Sequence, residues 1–373
     1  MDQERLRTSG TGLEFPRDPS RAVLGAADYW SDVDRREMIT SVFAIGAYSA
    51  PVTRWLVQPA DTEVPRHHGQ RVGSRDIAEL WDAVSDAQRG DSKYGGGSWK
   101  ATRAADCLAY RAAPLLRADC TETIGRQLFT VTAELARVAA WTDVDTGNHH
   151  RAQRHFVQAL RLARAAANVE MGCYVLSTMA LQTILRGHPG EAIDMAQGAY
   201  ERAKGKAAPK VLGFAKLMEA RAHAADGDAQ AASTALAASE TLIDRPHHGE
   251  EPPWIKIVTH ARVAADATEM FRDLKNPKAA LTWNARAHAM SPDAFTRSVG
   301  LRLTAAATAH LHARDLDQAL AVGREAVHLI SQVSSTRARG YVHDFTDALA
   351  PWQTEPAVIE FVRHAQEELA ATR

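Results

Sequence analysis

The sequence has little of what marks a disulfide-bonded, metal-binding or membrane-spanning protein. It contains only three cysteines in 373 residues, and Cys107, Cys120 and Cys173 fit neither a CxxC redox motif nor a zinc ribbon. No apolar run reaches the ~18 residues that a transmembrane helix needs. These absences favour unpaired thiols in a reducing compartment and predict a cytoplasmic protein.

The chain also lacks an excess of charge of either sign. Lys and Arg together number 44, Asp and Glu together number 45, and the formal net charge is −1. Nucleic-acid-binding domains usually carry a basic face, and anionic membranes attract clusters of Lys and Arg. Because the sequence has no long basic run, we expect neither direct nucleic-acid binding nor membrane binding.

Motifs for catalysis or for a cofactor are missing as well. The 16 histidines form neither an HExxH motif nor an i, i+4 pair beside a carboxylate on one predicted helix face. The glycines Gly95–Gly97 are not preceded by the strand of a phosphate-binding loop, so they predict a hinge between helices, capped by Ser98. The sequence therefore predicts a non-enzymatic protein without a metal or a cofactor.

Residues 1–72 predict an N-terminal extension followed by a capping helix. Glycines and prolines in residues 1–26 disfavour long helices, and a buried helix is predicted over Ser31–Leu56. The pair Arg35-Arg36 before an apolar stretch is loosely similar to a twin-arginine export signal. The acidic residues ahead of that pair favour the buried helix instead.

An internal repeat is the strongest pattern in the sequence. Its first copy reads G-x4-A-x3-F-x2-A, from Gly147 to Ala159. The alanine that anchors each copy recurs with a period of roughly 40 residues. The anchoring alanines are Ala152, Ala192, Ala232, Ala280 and Ala319.

The repeat has a direct physical interpretation. A Gly with positive φ ends one helix, and a small Ala in the next helix lets the two backbones approach closely. One such hairpin buries too little apolar surface, so neighbouring hairpins stack. We predict an all-α chain, with a solenoid of antiparallel helix hairpins over residues 73–335 and capping helices over 336–373. Lys275 and Arg314 replace Gly in the fourth and fifth copies, so different turns are expected there.

The G…A…F…A spacing resembles the tetratricopeptide signature, with a period longer than the usual ~34 residues. About residues 14–365 also resemble a large family of actinobacterial transcriptional regulators. In that family a Cro/repressor-type (XRE-like) helix-turn-helix precedes a tetratricopeptide-like sensor region. The segments that carry this resemblance include PVTRWL at 51–56, KYGGG at 93–97, FVQALRLA at 156–163 and PPWI at 252–255.

The resemblance implies a regulatory function, but residues 1–30 are too short and too rich in Gly and Pro to form a DNA-reading unit. We therefore expect the sensor half, either as a stand-alone protein or with a reader encoded upstream. It would bind a partner protein, a peptide or a small molecule in its groove and modulate transcription. The partner would be a DNA-binding regulator, and the family also suggests a homodimer. The alternative is a constitutive interaction scaffold without a ligand switch.

Candidate groove residues follow from the first helix of each hairpin, which lines the concave face in tetratricopeptide proteins. Counting back from each turn selects Glu134, Arg137, Trp141, Val144 and Asp145 in the first unit, Arg221 in the third, and Glu269, Arg272 and Asp273 in the fourth. Trp141 is the predicted ligand anchor, because Trp and Arg dominate binding hot spots. The alternative is that Trp141 packs between hairpins and the charges are solvated.

Glu219 occupies a position where the repeat normally buries an apolar residue. A buried carboxylate usually has a cationic partner, so the nearby Arg221 and His223 predict a structural ion pair. A functional carboxylate with a shifted pKa is the alternative.

Overall fold

A computed structural model of the chain describes residues 12–31, 42–65, 71–246, 249 and 251–370. Across those ranges the chain is helical, and no strand is present. Successive helices pack as neighbouring antiparallel pairs, and each pair packs on the next. The predicted fold class, an all-α solenoid of helical hairpins, is confirmed.

The helices fall into three stretches of the chain. The first stretch holds α1 (Pro19–Ser31), α2 (Gly46–Val57), α3 (Ser74–Tyr94), α4 (Trp99–Cys107), a π-helical turn (Leu108–Ala112) and α5 (Ala113–Leu116). The second holds α6 (Glu122–Asp145), α7 (His149–Ala165), α8 (Val169–Leu185), α9 (Pro189–Ala203), α10 (Pro209–Asp226) and α11 (Ala229–Ile243). The third holds a 3₁₀ turn (Pro253–Ile257), α12 (His260–Asp273), α13 (Pro277–Arg286), α14 (Thr296–His312), α15 (Leu316–Ser331), α16 (Thr336–Ala348), a 3₁₀ turn (Ala350–Trp352) and α17 (Pro356–Ala370). From α6 to α15, each even-numbered helix is the first of a hairpin and the following helix is the second.

The turn inside each of these hairpins has the same backbone geometry. Gly147, Gly187 and Gly227 have φ of +83°, +78° and +87°, and Lys275 and Arg314 have φ of +52° and +63°. In all five turns the next residue donates its N–H to the carbonyl five positions earlier, at 2.8–3.1 Å. This is the Schellman pattern. The expectation of different turns at Lys275 and Arg314 was therefore wrong, because the hairpin imposes the left-handed conformation even on residues that disfavour it.

The anchoring alanines of the repeat sit where the two helices of each hairpin meet. All five have no exposed surface, and neither has the Phe at the +4 position of the first copy. A side chain of one methyl group brings the helix axes close, and this explains why small residues recur there. The five alanines are Ala152, Ala192, Ala232, Ala280 and Ala319.

The N-terminal stretch differs from the prediction of one helix over Ser31–Leu56. Helix α1 ends at Ser31, α2 begins at Gly46, and residues 42–45 between them are not helical. The 13-residue α1 also contradicts the expectation that residues 1–26 contribute to no long helix. Pro19 opens this helix, where its missing N–H does no harm, and Asp18 accepts a hydrogen bond from the N–H of Arg21 at 2.7 Å.

The solenoid returns on itself, because α14 packs against α3 and α16 packs against α6. The N–H of Gly97 donates to the carbonyl of Ser334, and the N–H of Ser334 donates to the carbonyl of Tyr94, both at 2.8 Å. A Cβ on Gly96 would lie 2.7 Å from the carbonyl oxygen of Thr142, so this approach needs glycine. We call these interactions, together with the ion pairs of Asp91 and Asp145 described below, the closure contact. In the part of the chain described, no helix is long and apolar enough to cross a membrane.

Candidate functional site

A cavity of about 450 Å³ lies on the inner face of the solenoid. Helices α3, α6, α8, α10, α12 and α14 contribute to its wall, so it is built by the first helices of consecutive hairpins and by α3. Its size is within the usual range of small-molecule sites. The apolar part of the wall includes Val138, Trp141, Leu181, Phe214, Met290 and Phe295.

The cavity has a buried interior and an exposed mouth. Val138, Leu181 and Phe214 are buried, whereas Lys256 and His260 of the same wall are exposed. A ligand would therefore enter past the 3₁₀ turn and the start of α12.

Two of the predicted groove residues, Arg137 and Trp141, line this cavity. Arg137 donates through Nε and Nη2 to the two carboxylate oxygens of Glu134, each at 2.8 Å. Its guanidinium also lies 4.6 Å from the ring centroid of Tyr174. Trp141 is half-buried, and the guanidinium of Arg337 lies 5.1 Å from its ring centroid. The structure thus places these two residues on one wall. Glu134 holds the guanidinium of Arg137, and the guanidinium of Arg337 packs on the ring of Trp141.

Asp145 does not line the cavity and belongs to the closure contact. Its carboxylate is fully buried, lies 3.0 Å from Arg297 and 3.2 Å from Arg337, and accepts the N–H of Gly96 at 2.8 Å. Burial favours the neutral acid, but the charges of Arg297 and Arg337 outweigh burial and hold the pKa of Asp145 below its usual value. Asp145 is therefore an ionised structural group.

Arg221, Glu269 and Arg272 form a second polar cluster at the back of the inner face. Arg221 is buried and pairs with Asp266 and with Glu269, the latter at 2.7 Å. The Tyr341 hydroxyl donates to Glu269 at 2.8 Å, and the guanidinium of Arg272 lies 5.2 Å from the Tyr341 ring centroid. Arg221 and Glu269 are buried and paired rather than solvated, and with Tyr341 they join α10 and α12 to α16. Arg272 is half-buried and pairs with the exposed Asp273 at 2.6 Å.

Glu219 is structurally paired, and its nearest charged partner is Lys216, which the prediction did not name. It lies 2.6 Å from the Nζ of Lys216 and accepts a hydrogen bond from Gln197 at 3.1 Å. His223 is 3.9 Å away. Arg221, two positions further along α10, points to the opposite side, toward the partners given above.

Sequence reasoning did not select most of the cavity wall, including its polar residues Asp91, Tyr174, Arg262 and Arg297. Arg297 donates to both carboxylate oxygens of Asp91 at 2.5 Å, across 206 positions of sequence. No local pattern announces such a pair. Tyr174 and Arg262 lie on first helices, so counting back from the turn of the second hairpin would have indicated Tyr174.

The Gly95–Gly97 segment connects α3 to α4, and Ser98 caps α4, as predicted, by accepting the N–H of Ala101 at 3.3 Å. The described residues include no group of three or more His, Cys, Asp or Glu side chains placed to hold a metal ion. What the cavity offers a ligand is apolar area together with guanidinium, hydroxyl and ammonium donors.

Comparison with known proteins identifies no family. Neither a scan against protein-family profiles nor a search of curated proteins finds a match to this chain. The resemblance to tetratricopeptide proteins and to the sensor regions of regulators therefore stays a prediction from the sequence.

Proposed function

We propose that this chain is a non-enzymatic regulatory protein of the tetratricopeptide type, which binds a signal in its inner cavity and modulates transcription through a partner. The cavity of about 450 Å³ carries the proposal. Its size suits a small molecule or the end of a peptide better than a folded domain.

The mechanism is a shift between more closed and more open forms of the solenoid. The cavity wall combines α6 and α8 with α12 and α14, which the closure contact brings together. A ligand that touches both sides binds the closed form more tightly and therefore raises its population. The partner would recognise the outer surface of the closed form. We place the protein in the cytoplasm, with a DNA-binding regulator or a second copy of the chain as partner.

A constitutive scaffold is the alternative, and two exposed aromatic residues favour it. Trp99 and Tyr110 are 68% and 79% exposed, and aromatic residues are enriched in protein interfaces. A scaffold of this kind would use the outer surface near α4 and would need no ligand in the cavity.

The test is affinity capture of the tagged full-length protein from its native cytoplasm, with mass spectrometry of retained small molecules, peptides and proteins. We compare wild type with Trp141→Ala in the cavity and with Trp99→Ala on the outer surface. The regulatory proposal expects a retained ligand that is lost only with Trp141→Ala. If Trp141→Ala changes nothing and Trp99→Ala releases a protein partner, the scaffold is supported and the regulatory proposal is wrong.

A further inference from the structure

The cavity wall contains a tyrosine hydroxyl that opens onto the cavity and makes no hydrogen bond to a described residue. Tyr174 is 4% exposed, its ring is stacked on Trp254 with centroids 4.9 Å apart, and Phe214 packs beside it at 5.1 Å. Among the described residues, the Tyr174 hydroxyl has no hydrogen-bond partner. A hydroxyl that is fixed in a cavity wall and bonded to no protein group is available to a ligand atom.

Two arginines of the same wall, Arg137 and Arg262, act electrostatically on Tyr174. Arg137 lies over the Tyr174 ring, and the charges of Arg137 and Arg262 both act on the hydroxyl. Burial raises the pKa of Tyr174, so the hydroxyl stays protonated and able to donate.

Both arginines keep donors that are not committed to protein groups. Arg137 uses Nε and Nη2 for Glu134, and Arg262 uses Nε for Asp266 at 2.5 Å. Among the described residues, the remaining terminal nitrogens of these arginines have no hydrogen-bond acceptor. The hydroxyl and these nitrogens together form a set of donors without an acceptor, which is what an anion requires.

The charged residues of the cavity wall also favour an anionic ligand. Glu134 and Asp266 compensate the arginines from outside the cavity, and neither contributes to its wall. Asp91 is the one carboxylate on the described wall, and Arg297 holds both of its oxygens. Lys256 at the mouth is exposed and has no ion-pair partner within the described part of the chain. A ligand in the cavity therefore meets apolar side chains and a surplus of positive groups.

We propose that the cavity binds a small apolar carboxylic acid in its ionised form. The carboxylate accepts hydrogen bonds from the Tyr174 hydroxyl and from the free nitrogens of Arg137 and Arg262. The apolar body lies against Val138 and Leu181 and the neighbouring aromatic side chains. This inference rests on the proposed function, because it assumes that the cavity is the ligand site.

The test is calorimetric titration of the full-length protein with decanoate, decanol and decylammonium, which share one apolar body and differ in charge. We expect decanoate to bind about tenfold more tightly than decanol, since charge-assisted hydrogen bonds are the strong ones, and decylammonium to bind most weakly. Tyr174→Phe removes only the hydroxyl. It should weaken decanoate binding about tenfold and leave decanol binding unchanged.

Two controls make the result specific. Tyr174→Phe should unfold at the same temperature as wild type or a higher one, because the hydroxyl it removes is unpaired. Tyr200→Phe, on α9 outside the cavity, should change neither ligand. The inference is overturned if decanol binds as tightly as decanoate, if Tyr174→Phe leaves decanoate binding unchanged, or if none of the three compounds binds. The proposed function is tested by a different measurement. It is wrong if, in the capture experiment, Trp141→Ala retains everything that wild type retains.

Discussion

Asp145 links α6 to both of the helices that close the solenoid, α14 and α16. Its buried carboxylate meets Arg297, Arg337 and the N–H of Gly96 at 2.8–3.2 Å. Asp145→Asn keeps the side-chain volume and one acceptor oxygen but removes the charge. Since Asn also brings an NH₂ group toward the guanidinium groups, the variant loses ionic attraction and gains a donor where an acceptor is needed.

The magnitude follows from the burial of this site. Removing one partner of a buried ion pair costs about 3–5 kcal/mol. Arg297 keeps its two hydrogen bonds to Asp91, so one of the two arginines stays neutralised. We therefore expect a loss near the lower end, about 3 kcal/mol of the free energy of unfolding.

The pH dependence of stability provides a second test of the same variant. The pKa of Asp145 is lower in the folded chain than its usual value of 3.8. Its charge therefore stabilises the fold above that usual value, and the contribution is lost as the pH falls through the folded-state pKa. The difference between wild type and Asp145→Asn should accordingly shrink in acid.

Urea unfolding followed by circular dichroism measures both effects. The matched control is Glu367→Gln, which removes the acid of the exposed pair Arg363–Glu367 on α17. This control should change the free energy of unfolding by less than about 0.5 kcal/mol. If Asp145→Asn costs less than about 1 kcal/mol, or no more than Glu367→Gln, the closure contact does not hold the solenoid as argued.

Three further predictions concern backbone strain, close packing and a buried histidine. Lys275→Gly should raise the free energy of unfolding by about 0.5–1 kcal/mol, because Gly adopts a φ of +52° without strain. An unchanged thermal midpoint would contradict the left-handed turn. Gly96→Ala should lower the free energy of unfolding by at least about 2 kcal/mol, measured in urea, since its Cβ would lie against backbone atoms. Gly190→Ala, with open space around the added Cβ, should not lower it. Burial lowers the pKa of His155 from 6.5 to about 3, so the unfolded chain takes up a proton at a higher pH and acid destabilises the fold. His155→Gln should therefore gain about 2 kcal/mol relative to wild type between about pH 7 and pH 5 in urea unfolding, and the exposed His260→Gln should not.

The hairpins were predictable from sequence because their signals are local. A small residue at the helix contact and a turn residue a few positions before it lie within one hairpin, as at Gly147 and Ala152. The turns at Lys275 and Arg314 were not predictable in the same way. There the packing of the two helices sets the backbone angle against the preference of the residue.

The residues of the site were predictable only where their positions follow from the turn of their own hairpin. Counting back from the first turn placed Arg137 and Trp141 on the cavity wall. The same counting selected Asp145 and Glu269, which face inward but are covered by α14 and α16. The return of these helices depends on the summed rotation of all the hairpins between them. A pair such as Asp91 and Arg297 is therefore a property of the whole superhelix.

The ion pairs that close the solenoid also hold part of the cavity wall in place. Arg297 is held by Asp91 and Asp145, so its side chain and the wall beside it are ordered before a ligand arrives. Ordering a long side chain in advance removes part of the entropy cost of binding. Asp145→Asn weakens the contact between α6 and α14, and both helices contribute to the cavity wall. The variant should therefore bind decanoate about tenfold more weakly at a temperature where it is fully folded, although Asp145 itself does not line the cavity. Calorimetry with Glu367→Gln as control checks this expectation. Unchanged decanoate affinity in Asp145→Asn, together with lowered stability, would separate closure of the solenoid from organisation of the cavity.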